Sequence, residues 1–276
     1  MNPHHAHPTS LAAMLRSAIV NRQLIGQLIR RDVVGRYRGS VMGIAWSFLN
    51  PLLMLVIYTV VFSGIFKQRW PGVSTDSTTG FAVILFVGLI VHGLFAECVT
   101  RAPGLVLANP NYVKRVIFPL EILPWVSMGS ALFHSLISVS VLIVAQVAFN
   151  GRLPWTVVLL PIVILPLIFT TLGIAWFLSA LGVFVRDISQ ITALIVSVAM
   201  FLSPVFYPVS ILSVRFQRWI YLNPLTYPIE DARAALIYGR APSPVHLLIA
   251  MAAGLVVAQV GFWWFQKTRK GFADVI

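Results

Sequence analysis

The chain of 276 residues is 58% hydrophobic and only 10% charged, with a mean hydropathy of +0.88. A water-soluble domain carries about a quarter charged residues, so this composition excludes an ordinary soluble enzyme and indicates a protein that lives in a bilayer. The net charge of +12 points to membrane topology rather than nucleic acid, because Lys and Arg collect on the cytoplasmic side of spans.

Residues 1–23 are expected to form a flexible cytoplasmic N-terminus. Residues 1–16 are polar and His/Pro-rich, with no apolar core beside a cleavage site and hence no expected signal peptide, and the trio His4, His5 and His7 reads as a frayed end rather than a metal site. Residues 24–40 read as an amphipathic helix: Ile25, Ile29, Val33 and Tyr37 recur every fourth residue, with Gln23, Gln27, Arg30, Arg31 and Arg38 around the rest. Such a helix ahead of a span lies in the inner headgroup layer, apolar side down. It is either a lead-in anchor or the lining of a cytoplasmic entrance. In the second case Arg30, Arg31, Arg36 and Arg38 would meet an anionic, lipid-linked cargo, since guanidinium groups bind phosphates through paired hydrogen bonds.

Uncharged runs follow at residues 41–66, 81–96, 122–149, 153–185, 188–214 and 241–266. A helix crosses a bilayer with roughly 20 apolar residues, and every backbone polar group in lipid must be bonded internally. The expectation is therefore an all-α integral membrane protein: six transmembrane helices within 41–266, an N-terminal amphipathic interfacial helix, and short re-entrant helices on the outer side. With the N-terminus inside, the inner segments carry 13 of the 20 lysines and arginines. That bias places both termini, including the tail at 267–276, in the cytoplasm.

The inner segment RAPGLVLANPNYVKRVIFP, residues 101–119, is longer than a reversal between two spans needs. Asn109-Pro110 interrupts the helix, and a short helix is expected over 111–118. Asn111, Tyr112, Lys114 and Arg115 give it an aromatic anchor with a basic rim, the anatomy of an energetic protein contact. Arg186-Asp187 marks a tight inner turn. Residues 207–235 stay apolar and aromatic although placed outside, with Pro204, Pro208, Pro224 and Pro228 as breakers. Short helices folded back into the outer leaflet reconcile those facts, with Tyr207, Trp219, Tyr221 and Tyr227 as candidates for an outer gate.

No G-x-x-x-x-G-K-[ST] phosphate cradle occurs, no Cys/His set has metal spacing, and the adjacent acids Glu230 and Asp231 point about 100° apart on a helix. No catalytic, cofactor-binding or metal-ligating residue is therefore expected. Energy would come from a separate ATPase that binds ATP and Mg itself. Phe48, Tyr58, Phe62 and Phe201 fall inside spans and are channel-lining candidates, because aromatic faces suit the C–H faces of sugars sliding past; packing between helices is the other account. A membrane glycosyltransferase would need an acidic base these scattered carboxylates do not supply, and an assembly scaffold would transport nothing.

The segments RRDVVGRYRGSVMGIAWSFLNP (30–51), LFAECVTRAPGLVLANPNYVKRVIFPLEILPW (94–125), RDI (186–188), SPVFYP (203–208) and YLNPLTYPIEDAR (221–233) resemble the permease subunits of ABC exporters for O-antigen polysaccharide. Those permeases belong to the type-2 ABC permease superfamily. The resemblance runs from about Leu24 to the C-terminus and implies a homodimer joined to two copies of an ATPase subunit in the bacterial inner membrane. It implies an entrance-gating helix at 24–38, a coupling helix within 109–118, and re-entrant helices within 207–233 at the periplasmic mouth. The implied cargo is an undecaprenyl-diphosphate-linked glycan, and no nucleic acid. Exporters of capsular polysaccharide, teichoic acid or a small lipophilic compound share the overall plan.

Overall fold

A computed structural model describes residues 8–65, 70, 79–113, 118–151 and 153–276. All regular structure among them is helical. In chain order the α-helices are α1 (Leu11–Val20), α2 (Arg22–Tyr37), α3 (Trp46–Tyr58), α4 (Thr79–Arg101), α5 (Pro110–Val113), α6 (Leu123–Asn150), α7 (Leu160–Phe184), α8 (Ile188–Leu202), α9 (Val214–Ile220), α10 (Thr226–Arg233), α11 (Pro244–Thr268) and α12 (Phe272–Val275).

Five helical stretches are long and apolar enough to cross a membrane: Gly43–Phe62, Gly80–Gly104, Leu120–Ala148, Trp155–Phe184 and Pro244–Val275. The span expected at 81–96 is longer than its uncharged run, because Glu97 and Arg101 continue α4 while paired to α2. The expected span at 188–214 is helical only as α8, 15 residues or about 22 Å at 1.5 Å each. That is short of a hydrocarbon core about 30 Å thick. It ends at Ser203-Pro204, where Pro disfavours the α conformation in the residue before it. The backbone at Ser203 is extended.

The N-terminal segment departs from the flexible tail expected for 1–23. Ser10 caps α1 by accepting a hydrogen bond from the Ala13 amide at 3.2 Å, which satisfies one of the orphan donors of a helix start. Met14 is fully buried, the Gln259 amide of α11 donates to the Thr9 carbonyl at 2.5 Å, and Ser17 donates to Glu121 at 3.2 Å. An apolar stripe gave α1 a seat that polarity at the very start of the chain concealed. Arg269, just after α11, also reaches Glu121, at 2.6 Å, so α1 and the turn after α11 meet at one carboxylate.

The closest helix pair is α7 with α11. Gly254, Ala258 and Gly261 recur along α11, and a Cβ at Gly261 would fall on the Gly173 carbonyl of α7. Lipid tails are as apolar as Leu, so helices in a membrane associate through close van der Waals packing at small residues. Gly261→Leu forces two backbones apart where no flexible side chain can yield, a cost above the roughly 1–3 kcal/mol of ordinary overpacking. The expected result is loss of monodisperse protein on size exclusion in mild detergent. A normally folded Gly261→Leu protein would show that the α7–α11 crossing is not a determinant of the fold.

Candidate functional site

At the inner end, α2 is stitched to the bundle by charge. Arg101 of α4 donates both guanidinium nitrogens to the Asp32 carboxylate, at 2.8 and 2.6 Å, and Arg36 donates to Glu97 of α4 at 2.6 Å. The Nδ1 of His134 on α6 lies 2.9 Å from the same Glu97 oxygen. Leu28 and Val33 are buried beneath α2, and Ile29 packs where a Cβ on Gly129 would stand. Burial pushes the Asp32 carboxyl up, but the hydrogen bonds and charge of Arg101 and the charge of Arg36 together hold it below the ordinary value. Glu97 and Arg101, four residues apart on α4, are 4.0 Å from each other; each has a shorter partner on α2.

The four entrance arginines therefore divide. Arg36 is engaged by Glu97, and Arg31 lies over the Tyr112 ring, 5.9 Å from its centroid. Arg30 and Arg38 are exposed and form no ion pair among the described residues. Tyr112 belongs to the segment expected to couple, and it stacks on Phe118 with centroids 4.0 Å apart and planes at 10°. The helix there is one turn, α5, opened by Pro110 in the first-turn position that tolerates a missing N–H and preceded by Asn109, whose amide donates to the Leu105 carbonyl at 2.9 Å. Asn111 is exposed; Lys114 and Arg115 lie outside the described residues. Entrance helix and coupling segment, read as separate surfaces from the sequence, are thus in direct contact.

A cavity of about 370 Å³ opens between α2, α3, α4 and α6, beside the Arg36–Glu97–His134 cluster, and Tyr58 lines it. Phe62 follows on the same helix, 5.7 Å from the Phe81 ring. Phe48 lies instead in a separate apolar groove of about 450 Å³ between α3 and α6, with Leu52, Val56 and Val144. Phe201 is on α8, stacked on Phe206 at 5.6 Å. The four channel-lining candidates do not converge within one copy of the chain.

The outer end is organised by Arg233, which the sequence showed only as one more outer charge. Its side chain is 1% exposed. The guanidinium donates to the carbonyls of Ile84 at 3.2 Å, Pro204 at 2.6 Å and Val205 at 2.7 Å, and to Glu230 at 3.0 Å. It also lies over the Trp70 ring, 4.6 Å from the centroid. Gly88 makes room, since a Cβ there would sit 2.9 Å from Nη2. One cation thereby ties the chain break after α8 to α4 and α10.

Of the gate candidates, Tyr221 and Tyr227 pair at 5.0 Å, and Tyr227 continues to His246 at 5.1 Å. Burial pushes the neighbouring Asp231 carboxyl up to about 6, helped by Glu230 and opposed by His246. Tyr207 donates to the Phe201 carbonyl at 3.2 Å, away from that pair. Trp219 is 68% exposed on α9 beside Phe216 and Leu222, which are also exposed.

Five long apolar helices among the described residues define a polytopic membrane protein. The chain belongs to the ABC-2 type transporter family, whose model matches residues 23–237. It is similar to the O-antigen export system permease protein RfbA of Myxococcus xanthus, 28% identical over 265 residues, covering 95% of this chain and 99% of that protein. It is also similar to a protein of the same name from Klebsiella pneumoniae, 26% identical over 92% of this chain and 95% of that one. The polysialic acid transport protein KpsM of Escherichia coli is 26% identical over 93% of this chain and 98% of that protein.

Proposed function

We propose that this chain is the channel-forming subunit of an ABC exporter that carries O-antigen polysaccharide, linked to undecaprenyl diphosphate, across the bacterial inner membrane. The observation that carries the reading is its end-to-end similarity to permeases named for O-antigen export, which covers nearly the whole of both chains. The chain has no phosphate cradle of its own, so ATP and Mg belong to a partner subunit. In this reading two copies of the chain stand with two ATPase chains, both termini in the cytoplasm. The broadly exposed apolar faces of α3 and α8 are the surfaces a second copy and lipid would share, and they would bring Phe48 and Phe201 to a common path. Arg30 on α2 and Arg38 just after it, which form no ion pair among the described residues, would meet the diphosphate, while α9 and α10 dip into the outer leaflet as a periplasmic cap.

A capsular polysaccharide is the second reading, favoured by the similarity to KpsM. Purification of the tagged chain in mild detergent, with mass spectrometry of co-purifying protein and lipid, tests both. The expected result is an ATPase chain in equal amount together with a glycan on a polyprenyl diphosphate. A chain that comes down alone, with no glycolipid, overturns the exporter reading, and a glycan of capsular composition replaces the O-antigen by the second.

A further inference from the structure

We infer that the cavity between α2, α3, α4 and α6 is a binding site for a neutral sugar unit within each copy of the chain. The choice of a sugar as ligand rests on the exporter reading above. The cavity, about 370 Å³, is at the small end of ligand pockets, which run about 300–1,000 Å³. From Glu97 to Phe86 it follows α4, about 16 Å at the α-helical rise.

Its charges cancel. Of its lining residues Arg36 and Glu97 are paired at 2.6 Å, so among the described residues no free cation lines it to hold a diphosphate. What remains is neutral hydrogen-bonding capacity. Asn50 and Ser135 line the cavity and make no hydrogen bond to another described residue. With Nδ1 of His134 taken by Glu97, its Nε2 is buried and without a partner, and a buried polar atom left unbonded is costly. Tyr58 and Phe86 add aromatic faces to the same wall. Hydroxyl-seeking groups beside aromatic faces match a pyranose, which has polar edges and apolar C–H faces.

Gly93 gives an independent sign. In mid-helix a Gly costs about 1 kcal/mol against Ala, and at Gly88, Gly173, Gly182, Gly254 and Gly261 a neighbour occupies the space a Cβ would need. At Gly93, on the cavity wall, a Cβ would meet nothing within 4 Å. Packing within the described residues gives no reason for Gly93, nor for Gly26 and Gly35 of α2, which are open in the same way; of the three only Gly93 lines the cavity, where a bare backbone admits a ligand.

The test uses Ser135→Cys in a Cys98→Ala background, with the full-length chain in lipid nanodiscs free of sugar detergents. The readout is the rate of thiol labelling by a small methanethiosulfonate, with neutral mono- and disaccharides or with inorganic pyrophosphate. A bound sugar should slow labelling about fivefold at about four times its Kd, since the free fraction falls as 1/(1 + [L]/Kd). Gly93→Trp should abolish that protection and Gly93→Ala should keep it. The inference is overturned if no sugar protects, if pyrophosphate protects in place of sugar, if the reagent never reaches position 135, or if Gly93→Trp is protected like its parent. Neither export nor ATPase association is read here, so a glycan-exporting protein without protection sinks this site alone, and protection in a chain that exports nothing sinks only the exporter reading.

Discussion

Arg233→Met is expected to unfold the outer half of the protein. The substitution preserves much of the volume but removes the donor shared by the Ile84, Pro204 and Val205 carbonyls, leaving buried acceptors that each cost about 1–3 kcal/mol when unbonded. Losing one member of a buried charge arrangement costs about 3–5 kcal/mol as a whole, which for a chain this size corresponds to a drop in Tm of about 10 °C or more. Arg233→Lys keeps the charge without the planar fork and should fall between. Glu230→Gln should change little, because Glu230 is one-third exposed and water screens such a pair. Thermal unfolding of the three variants in one detergent gives the ranking. If Arg233→Met melts within about 2 °C of wild type, a shift worth about 1 kcal/mol or less at this size, the cation is not what holds the outer cap.

Tyr112→Ala is expected to reduce polysaccharide export about tenfold or more while the chain still inserts and dimerises. A truncated aromatic anchor at an interface costs about 2 kcal/mol or more, and every 1.4 kcal/mol is tenfold in an equilibrium constant. The mutation removes both the stack on Phe118 and the ring beneath Arg31. Tyr112→Phe retains the ring and should export normally. Combining Arg31→Ala with Tyr112→Ala should cost less than the sum of the single losses, since residues sharing a contact are not additive. Export in cells and ATP hydrolysis by the purified assembly are the two readouts. Full export by Tyr112→Ala would reduce α5 to a connector between two spans.

Much of this was legible in the sequence, and what was missed has a common cause. Spans are written as long uncharged runs because lipid imposes its requirement on each segment separately. The period of α2 is likewise a local signal; the break expected at Asn109-Pro110 comes earlier, since α4 ends at Arg101 and Pro110 opens α5. The contacts that organise the two ends are not local. Arg36 meets Glu97 across 61 positions and Arg233 meets Ile84 across 149, and no periodicity encodes such a partner. A clue was present in the scarcity of acids: with eight in the whole chain, Glu97 at the end of an apolar run and Asp32 among arginines each called for a cation. Trp70 and Arg233 carried no comparable signal. The length of α8 was misjudged because hydropathy continues through Pro204 and Pro208 although the helix does not.

The shared carboxylate of Glu121 bears on how the protein is made. The Thr9 carbonyl is held by Gln259, 250 positions later, and Arg269 reaches Glu121 from the far end of the chain. During synthesis the first helix leaves the ribosome long before its seat on α11 exists. Closing so long a loop carries an entropic cost that only the finished contact offsets. The N-terminal helix can therefore complete its docking only after α11 has been inserted. A product lacking α11 would leave the Thr9 carbonyl without its Gln259 partner and part of the α1 seat missing, open for quality control to find.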